Sequence, residues 1–275
     1  MRLMGQPCQR RGASMWAVLL TSMWAFAPSA HANMFNPCSN ITAAGRGDSF
    51  VVGLALIPGA NATALNALLI QLVSFNGLCN ATFQEYLVTT FAARISVFNL
   101  RLDRLSVLRL PYPDVVFPLV TATNNAALGL QPTMTAILFR QNIYSTPVYL
   151  ASGISDVTIV GAGFVVSLAA LFRFDTGVLT AIQWYNLNCN GCGGISSQIC
   201  IHQIDVQACA TPFTSCTCAA FFEVAVNVGK NCTYTDPFFQ SCSTAINVGF
   251  LGTDSRSAAF RSGQQVQRLN AYSLE

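Results

Sequence analysis

Apolar residues run almost unbroken from Phe50 to Ile57 and stop at Pro58-Gly59, which reads as a buried strand closed by a breaker pair. Leu65, Leu68, Leu69, Leu72 and Val73 then recur at helical spacing. This predicts a helix over about 62–75 with Asn61 or Thr63 as N-cap, and a second helix over about 82–92. From Arg94 onward, short apolar segments separated by Pro, Asn, Gly and Asp predict strands near 94–102, 105–110, 114–121, 133–140, 145–150, 155–160, 164–174 and 177–185. Phe222, Val224, Val226 and Val228 alternate with Glu223, Ala225 and Asn227, and Ile246, Val248 and Phe250 alternate with Asn247 and Gly249. Such alternation predicts strands of a sheet that is wet on one side. After the turn Gly252-Thr253-Asp254, the chain is expected to return as a strand through Val266, Leu269 and Tyr272. The pattern therefore predicts a mainly β fold, an antiparallel β-sandwich or jelly roll, with one or two N-terminal helices and a disulfide-rich loop region. An N-terminal arm, strand and helical segment over 33–93 is expected to precede a β domain over 94–275, with a cysteine-rich segment at 186–242.

Targeting and charge change this picture at the N-terminus. Arg2, Arg10 and Arg11 precede an apolar run from Met15 to Phe26, and Ala30-His31-Ala32 follows, which predicts a signal peptide over 1–32. The run is 12 residues long, whereas a membrane-spanning helix needs roughly 20. Removing this segment takes away three arginines and no acid, leaving eleven basic residues against eleven acids. The remaining arginines are spaced singly from Arg46 to Arg268, so no basic stripe stands ready for a nucleic acid backbone. Residues 49–84 carry no charge, but Pro58, Gly59, Asn61, Asn66 and Gln71 interrupt them, which argues against a membrane span. The uncharged run Val157–Phe172 is too short for one.

Ten cysteines follow the leader: Cys38, Cys79, Cys189, Cys192, Cys200, Cys209, Cys216, Cys218, Cys232 and Cys242. An even number behind a signal peptide reads as a disulfide framework formed in an oxidising compartment. Two lie before residue 80 and eight between 189 and 242, so the simplest pairing joins Cys38 to Cys79 and closes the others among themselves. Four sequons, at Asn40, Asn61, Asn80 and Asn231, are glycosylation candidates.

Candidate chemistry is sparse. Arg46-Gly47-Asp48 resembles integrin-binding adhesion motifs, and Gly47-Asp48-Ser49 resembles the nucleophile block of the Gly-Asp-Ser-Leu esterases. That resemblance would make Ser49 a nucleophile and needs a base, for which His202 is the sole histidine past the leader, three residues before Asp205 and in the reverse of the family's order. Cys189-x-x-Cys192 with Cys216-x-Cys218 approaches zinc-ribbon spacing, but the second pair is one residue short and oxidation competes for exported thiols. Gly161-x-Gly163 lacks the rest of a dinucleotide fingerprint. No catalytic, cofactor-binding or metal-binding set is assigned.

Val248-Gly249-Phe250-Leu251-Gly252-Thr253-Asp254, with Arg268-Leu269-Asn270-Ala271-Tyr272-Ser273-Leu274, resembles the tail of uncharacterised secreted cysteine-rich proteins of plants and green algae. The resemblance covers about 30 residues and points to no particular activity. The leading expectation is a non-catalytic extracellular or cell-surface protein that binds a protein or glycan partner or assembles into a matrix, without nucleic acid or a membrane span. A secreted β-scaffold binder of apolar small molecules or lipids is the alternative, and a secreted hydrolase using Ser49 the third reading.

Overall fold

The computed structural model describes residues 36–39, 44–58, 77–110, 133–152, 163–185, 187–203, 206–211 and 243–272. These fall within one compact unit, Phe35–Glu275. The first sheet runs in the order β2-β1-β4-β6-β7, with β1 at Ser49–Pro58, β2 at Arg94–Arg101, β4 at Thr133–Arg140, β6 at Val148–Ser152 and β7 at Gly163–Phe164. A short β5, Ile143–Tyr144, also pairs with β4. The second sheet runs β3-β12-β8-β9, from Ser106–Leu110, Thr244–Gly252, Ser167–Asp175 and Val178–Tyr185 respectively. A two-stranded hairpin, β10 (Cys200–Gln203) with β11 (Val206–Cys209), completes the β structure. Helix α1 spans Ala81–Phe91 and helix α2 spans Ser262–Tyr272.

The fold is mainly β and sandwich-like. Strand β1 lies between β2 and β4, and this central position accounts for its uncharged sequence: every residue from Phe50 to Ile57 is buried. Its partners come from beyond residue 93, so the N-terminal strand is part of the same fold as the later ones. Phe50 faces the second sheet and meets Phe172, Phe174 and Phe250 edge-on, with ring centroids 5.4–5.7 Å away. Edge-to-face packing of this kind aligns the positive ring edge with a negative ring face. These rings pack between the two sheets.

The sheets are antiparallel except for one pair. β12 runs parallel to β8, in register from Ala245↔Ser167 to Gly252↔Phe174, and antiparallel to β3. The two parallel strands are separated by a long crossover, which a reading of neighbouring segments does not show.

The C-terminal segment departs from expectation, because Val266 lies on a helix and not on a strand. Helix α2 covers the outer face of the second sheet, which was expected to be wet. Val266 is fully buried there against Ala169 and Leu171. The approach needs Gly249: a Cβ at that position would stand 2.7 Å from Val266 Cγ2 and 2.9 Å from Gly263 Cα. The Ser262 hydroxyl accepts from Phe250 N and pins the start of the helix to the sheet.

Helix α1 matches the predicted second helix. Asn80 caps it, its side-chain oxygen accepting from Thr82 N at 2.9 Å and Phe83 N at 3.3 Å, while Phe83 and Leu87 are buried. The helix predicted over 62–75, the strands near 114–121 and 155–160, and the alternating segment 222–228 lie outside the described residues. No helix among the described residues is long and apolar enough to cross a membrane.

Candidate functional site

Three disulfides are formed among the described residues. Cys38–Cys79 ties the N-terminal arm to the turn preceding α1. Cys189–Cys200 and Cys192–Cys209 sit side by side and fasten the β10–β11 hairpin to a loop containing the one-turn 3-10 segment Asn190–Cys192. The sulfurs of Cys189, Cys192 and Cys209 lie within 4.8 Å of one another because the bridges stack. All three are oxidised and offer no thiolate for zinc. Cys216, Cys218, Cys232 and Cys242 lie outside the described residues.

The stacked bridges follow from the hairpin's register. Cys200 and Cys209 are directly opposite on β10 and β11, so each sends its sulfur to one of the two cysteines of the facing loop. Cys189 and Cys200 are buried, whereas Cys192 and Cys209 are half-exposed. The hairpin joins the sandwich through a reciprocal backbone pair between Phe164 and Thr211, at 3.0 and 2.8 Å. Gly163 permits this approach: its φ is +127°, and a Cβ there would stand 2.5 Å from Thr211 O. Ile201, Ala208 and Ala210 then continue the main core into the hairpin.

Between hairpin and sheet lies a groove of about 430 Å³. Leu168, Tyr185, Leu187 and Ile199 give it an apolar wall, while Ser167, Asn188 and Thr211 add polar groups. The Cys192–Cys209 bridge forms part of the lining. A groove of this size and mixed lining can hold a side chain or a sugar ring.

A second recess, of about 380 Å³, lies where the loops at residues 45–48 and 254–258 meet. Arg46, Asp48, Asp254, Ser255 and Arg256 line it. Asp254 organises one wall, since one of its carboxylate oxygens accepts from Arg256 N and Ala258 N at 2.9 and 2.8 Å, and the other from Arg46 N at 3.4 Å. The Ala258 amide bond leads the interactions that hold its pKa below the usual carboxylate value. Asp103 organises the neighbouring turn. Its burial alone would raise the pKa, but the amides of Ser262 and Arg261 and the Arg46 guanidinium outweigh burial and lower it.

This arrangement decides the Arg-Gly-Asp tripeptide. Arg46 is paired with Asp103 at 2.5 Å, and the Asp48 carboxylate folds back onto Gly45 N at 2.6 Å. Asp48 N also donates to Gly45 O, so the tripeptide closes a turn and both of its charges are engaged within the protein. Adhesion motifs need those charges outward.

Ser49 opens β1, where its hydroxyl is 2.5 Å from Asn99 Oδ1. An amide oxygen is not a general base. His202 lies on β10 in the hairpin sheet, while Asp205 falls outside the described residues. Of the sequons, Asn80 is described and half-buried at the α1 N-cap; Asn40, Asn61 and Asn231 fall outside the described residues.

What the sequence did not reveal is the convergence of arginines. Arg46, Arg101, Arg104, Arg256 and Arg261 come from separate parts of the chain and are all exposed, and they lie on or beside the turns held by Asp103 and Asp254: the Arg46 guanidinium pairs with Asp103, while Arg256 and Arg261 reach the two carboxylates through their backbone N. Arg101 Nη1 donates to Gly47 O at 3.2 Å, which holds it beside Arg46. The Asp-rich turns were the available signal, because a carboxylate that caps distant backbone amides draws loops together.

A model of the family described as "Uncharacterised protein DDB_G0273449" matches residues 154–275, less than half of the chain. Nothing matches among curated proteins or among solved structures.

Proposed function

We propose that this is an exported, non-catalytic binding protein of the extracellular space or cell surface, and that the disulfide-braced groove is one of its contact surfaces. The observation that carries the reading is the stacked pair Cys189–Cys200 and Cys192–Cys209, which fixes the hairpin beside the groove. Disulfides persist in oxidising compartments, and a rigid loop on a sheet scaffold loses little conformational entropy when it binds. The resemblance of the tail to secreted cysteine-rich proteins agrees with export, and the predicted leader supplies a route.

Partner capture from the protein's native extracellular surroundings tests the reading. Capture is expected to fall sharply after reduction and to survive chelation. Ser167→Trp, which fills the groove from an exposed position, is expected to weaken capture with the melting temperature unchanged. Equal capture by the oxidised, reduced and Ser167→Trp proteins would overturn the groove as contact surface.

A further inference from the structure

We infer that the Cys192–Cys209 bridge is a thiol-exchange site, and that an external thiol entering there re-pairs the neighbouring cysteines as Cys189–Cys192 and Cys200–Cys209. The re-paired protein stays oxidised at these positions but loses both covalent ties between the loop and the β10–β11 hairpin. The exchange stands on the sulfur geometry, and its bearing on partner contact rests on the groove proposed above.

The attacking sulfur already stands beside its target. Thiol–disulfide exchange needs a thiolate that can reach a sulfur of a second bridge. Cys189 Sγ lies within 4.8 Å of both sulfurs of the Cys192–Cys209 bridge, and Cys192 Sγ is 3.4 Å from the Cys189 carbonyl oxygen. The two bridges differ in access. Cys192 and Cys209 are half-exposed and line the groove, whereas Cys189 and Cys200 are 1% and 0% exposed. A thiol from solvent therefore opens the first bridge, and the buried bridge is reached from within.

Both new pairs are already neighbours along the backbone. Cys192 N donates to Cys189 O at 3.2 Å, and the end residues of such a turn stand less than about 7 Å apart. On the hairpin, Cys200 faces Cys209, and Ala210 N donates to Ile199 O at 2.8 Å. That bond flanks Cys200 and Cys209, which makes them a non-hydrogen-bonded pair with Cα atoms about 4.5 Å apart. Bridged cysteines have Cα separations of roughly 4.4–6.8 Å. Both pairs thus stand at or near bridging distance without travel of the backbone.

The steps balance with no oxidant or reductant consumed. The external thiolate attacks Cys209 Sγ, forming a mixed disulfide and releasing the Cys192 thiolate. Cys192 Sγ attacks Cys189 Sγ, forming Cys189–Cys192 and releasing the Cys200 thiolate. Cys200 Sγ then attacks Cys209 Sγ, forming Cys200–Cys209 and returning the external thiolate. As many S–S bonds form as break, so the thiol acts as a catalyst. Leu187, Asn188 and Cys192 on the loop side of the groove are then no longer cross-linked to Ala208 and Cys209 on the hairpin side.

Disulfide mapping of the oxidised full chain tests the inference. The protein is held at about pH 8, near the ordinary thiol pKa, with substoichiometric reduced glutathione, then alkylated, digested and analysed by mass spectrometry. Cys189–Cys192 and Cys200–Cys209 are expected to replace the original linkages in a measurable fraction, with the intact mass unchanged. In that fraction the amides of the loop 187–199 are expected to exchange hydrogen at least tenfold faster, while those of β10 and β11 keep their protection. Cys209→Ala leaves Cys192 as a thiol beside the Cys189–Cys200 bridge, and alkylation is expected to label Cys200 as well as Cys192. Retention of the original pairing, appearance of Cys189–Cys209 with Cys192–Cys200, or label on Cys192 alone in Cys209→Ala would each overturn the exchange. Re-pairing without faster hydrogen exchange in the loop would overturn the release of the hairpin. The map reads the exchange whether or not Ser167→Trp weakens capture, so its failure and the failure of the groove as contact surface are told apart.

Discussion

Arg140 ends β4 inside the core, 2% exposed, with its guanidinium 4.9 Å from the centroid of the Phe50 ring. It donates to Val51 O and, at 3.4 Å, to Ser39 O, and burial lowers its pKa to about 10. The charge is tolerated because two carbonyls and a ring face replace part of its hydration. The adjacent Gln141 completes the attachment of the arm, its backbone N donating to Pro37 O and its side chain to Ser39 O, each at 3.0 Å. Arg140→Ala therefore removes a buried donor from two carbonyls and leaves a void beside Phe50. A loss of about 3 kcal/mol is expected in urea unfolding. Additivity with loss of the Cys38–Cys79 bridge, in a double-mutant cycle, would show that Arg140 does not act through the arm. Nothing in the sequence marks this arginine, since an arginine after an apolar run usually ends a strand in water. The ring that receives it, Phe50, belongs to β1 and is itself held by Phe172, Phe174 and Phe250 of β8 and β12, which only packing across the sandwich brings together.

Among the elements, the strands with unbroken or alternating apolar residues were legible, because burial on one or both faces writes itself directly into the pattern. β1, β4 and β9 fall where the pattern placed them. The α2 segment was not legible as a helix covering a sheet. Among its described side chains the buried apolar contact is Val266, and its docking depends on two glycines in different elements, Gly249 and Gly263. Gly249 sits in an alternating strand where a small residue looks like a wet position. In fact it is the floor on which the helix rests. Gly249→Val should clash with Gly263 Cα and Ser262 O, neither of which can swing aside. Overpacking of this kind costs about 1–3 kcal/mol. The test is hydrogen exchange: amides of α2 should lose protection before those of β8. Retained protection throughout α2 would count against the packing described here. The candidate site divides in the same way. Its cysteines were visible as a count and a cluster, whereas their pairing follows from the β10–β11 register, which places Cys200 opposite Cys209.

For the molecule as a whole, covalent and ionic ties hold different regions. Cys38–Cys79 closes a loop of sequence separation 41, and the hairpin bridges close separations of 11 and 17. Restriction of the unfolded chain makes these worth about 4, 3 and 3 kcal/mol respectively on the loop-entropy model. The loop end where the arginines meet has no disulfide among the described residues and depends on Asp103 and Asp254. Both titrate below their ordinary range in the fold. Their contribution is therefore complete at pH values above the unfolded carboxyl pKa and disappears as pH falls through the lower folded values. Acid should loosen this end while the disulfides keep the hairpin in place. Asp103→Asn retains an acceptor of the same size but loses the charge that pairs with Arg46. At neutral pH it should lower the melting temperature by several degrees. As the pH falls through the lowered folded pKa of Asp103 the difference from the unmodified protein should shrink, because Asp103 is then becoming protonated as well. If the gap stayed constant from pH 7 to pH 2, the carboxylate would be a spacer and the charge at this end would have no part in stability. If it closes as expected, the charge on Asp103 holds these loops in place, and its pair with Arg46 is released as that charge is lost.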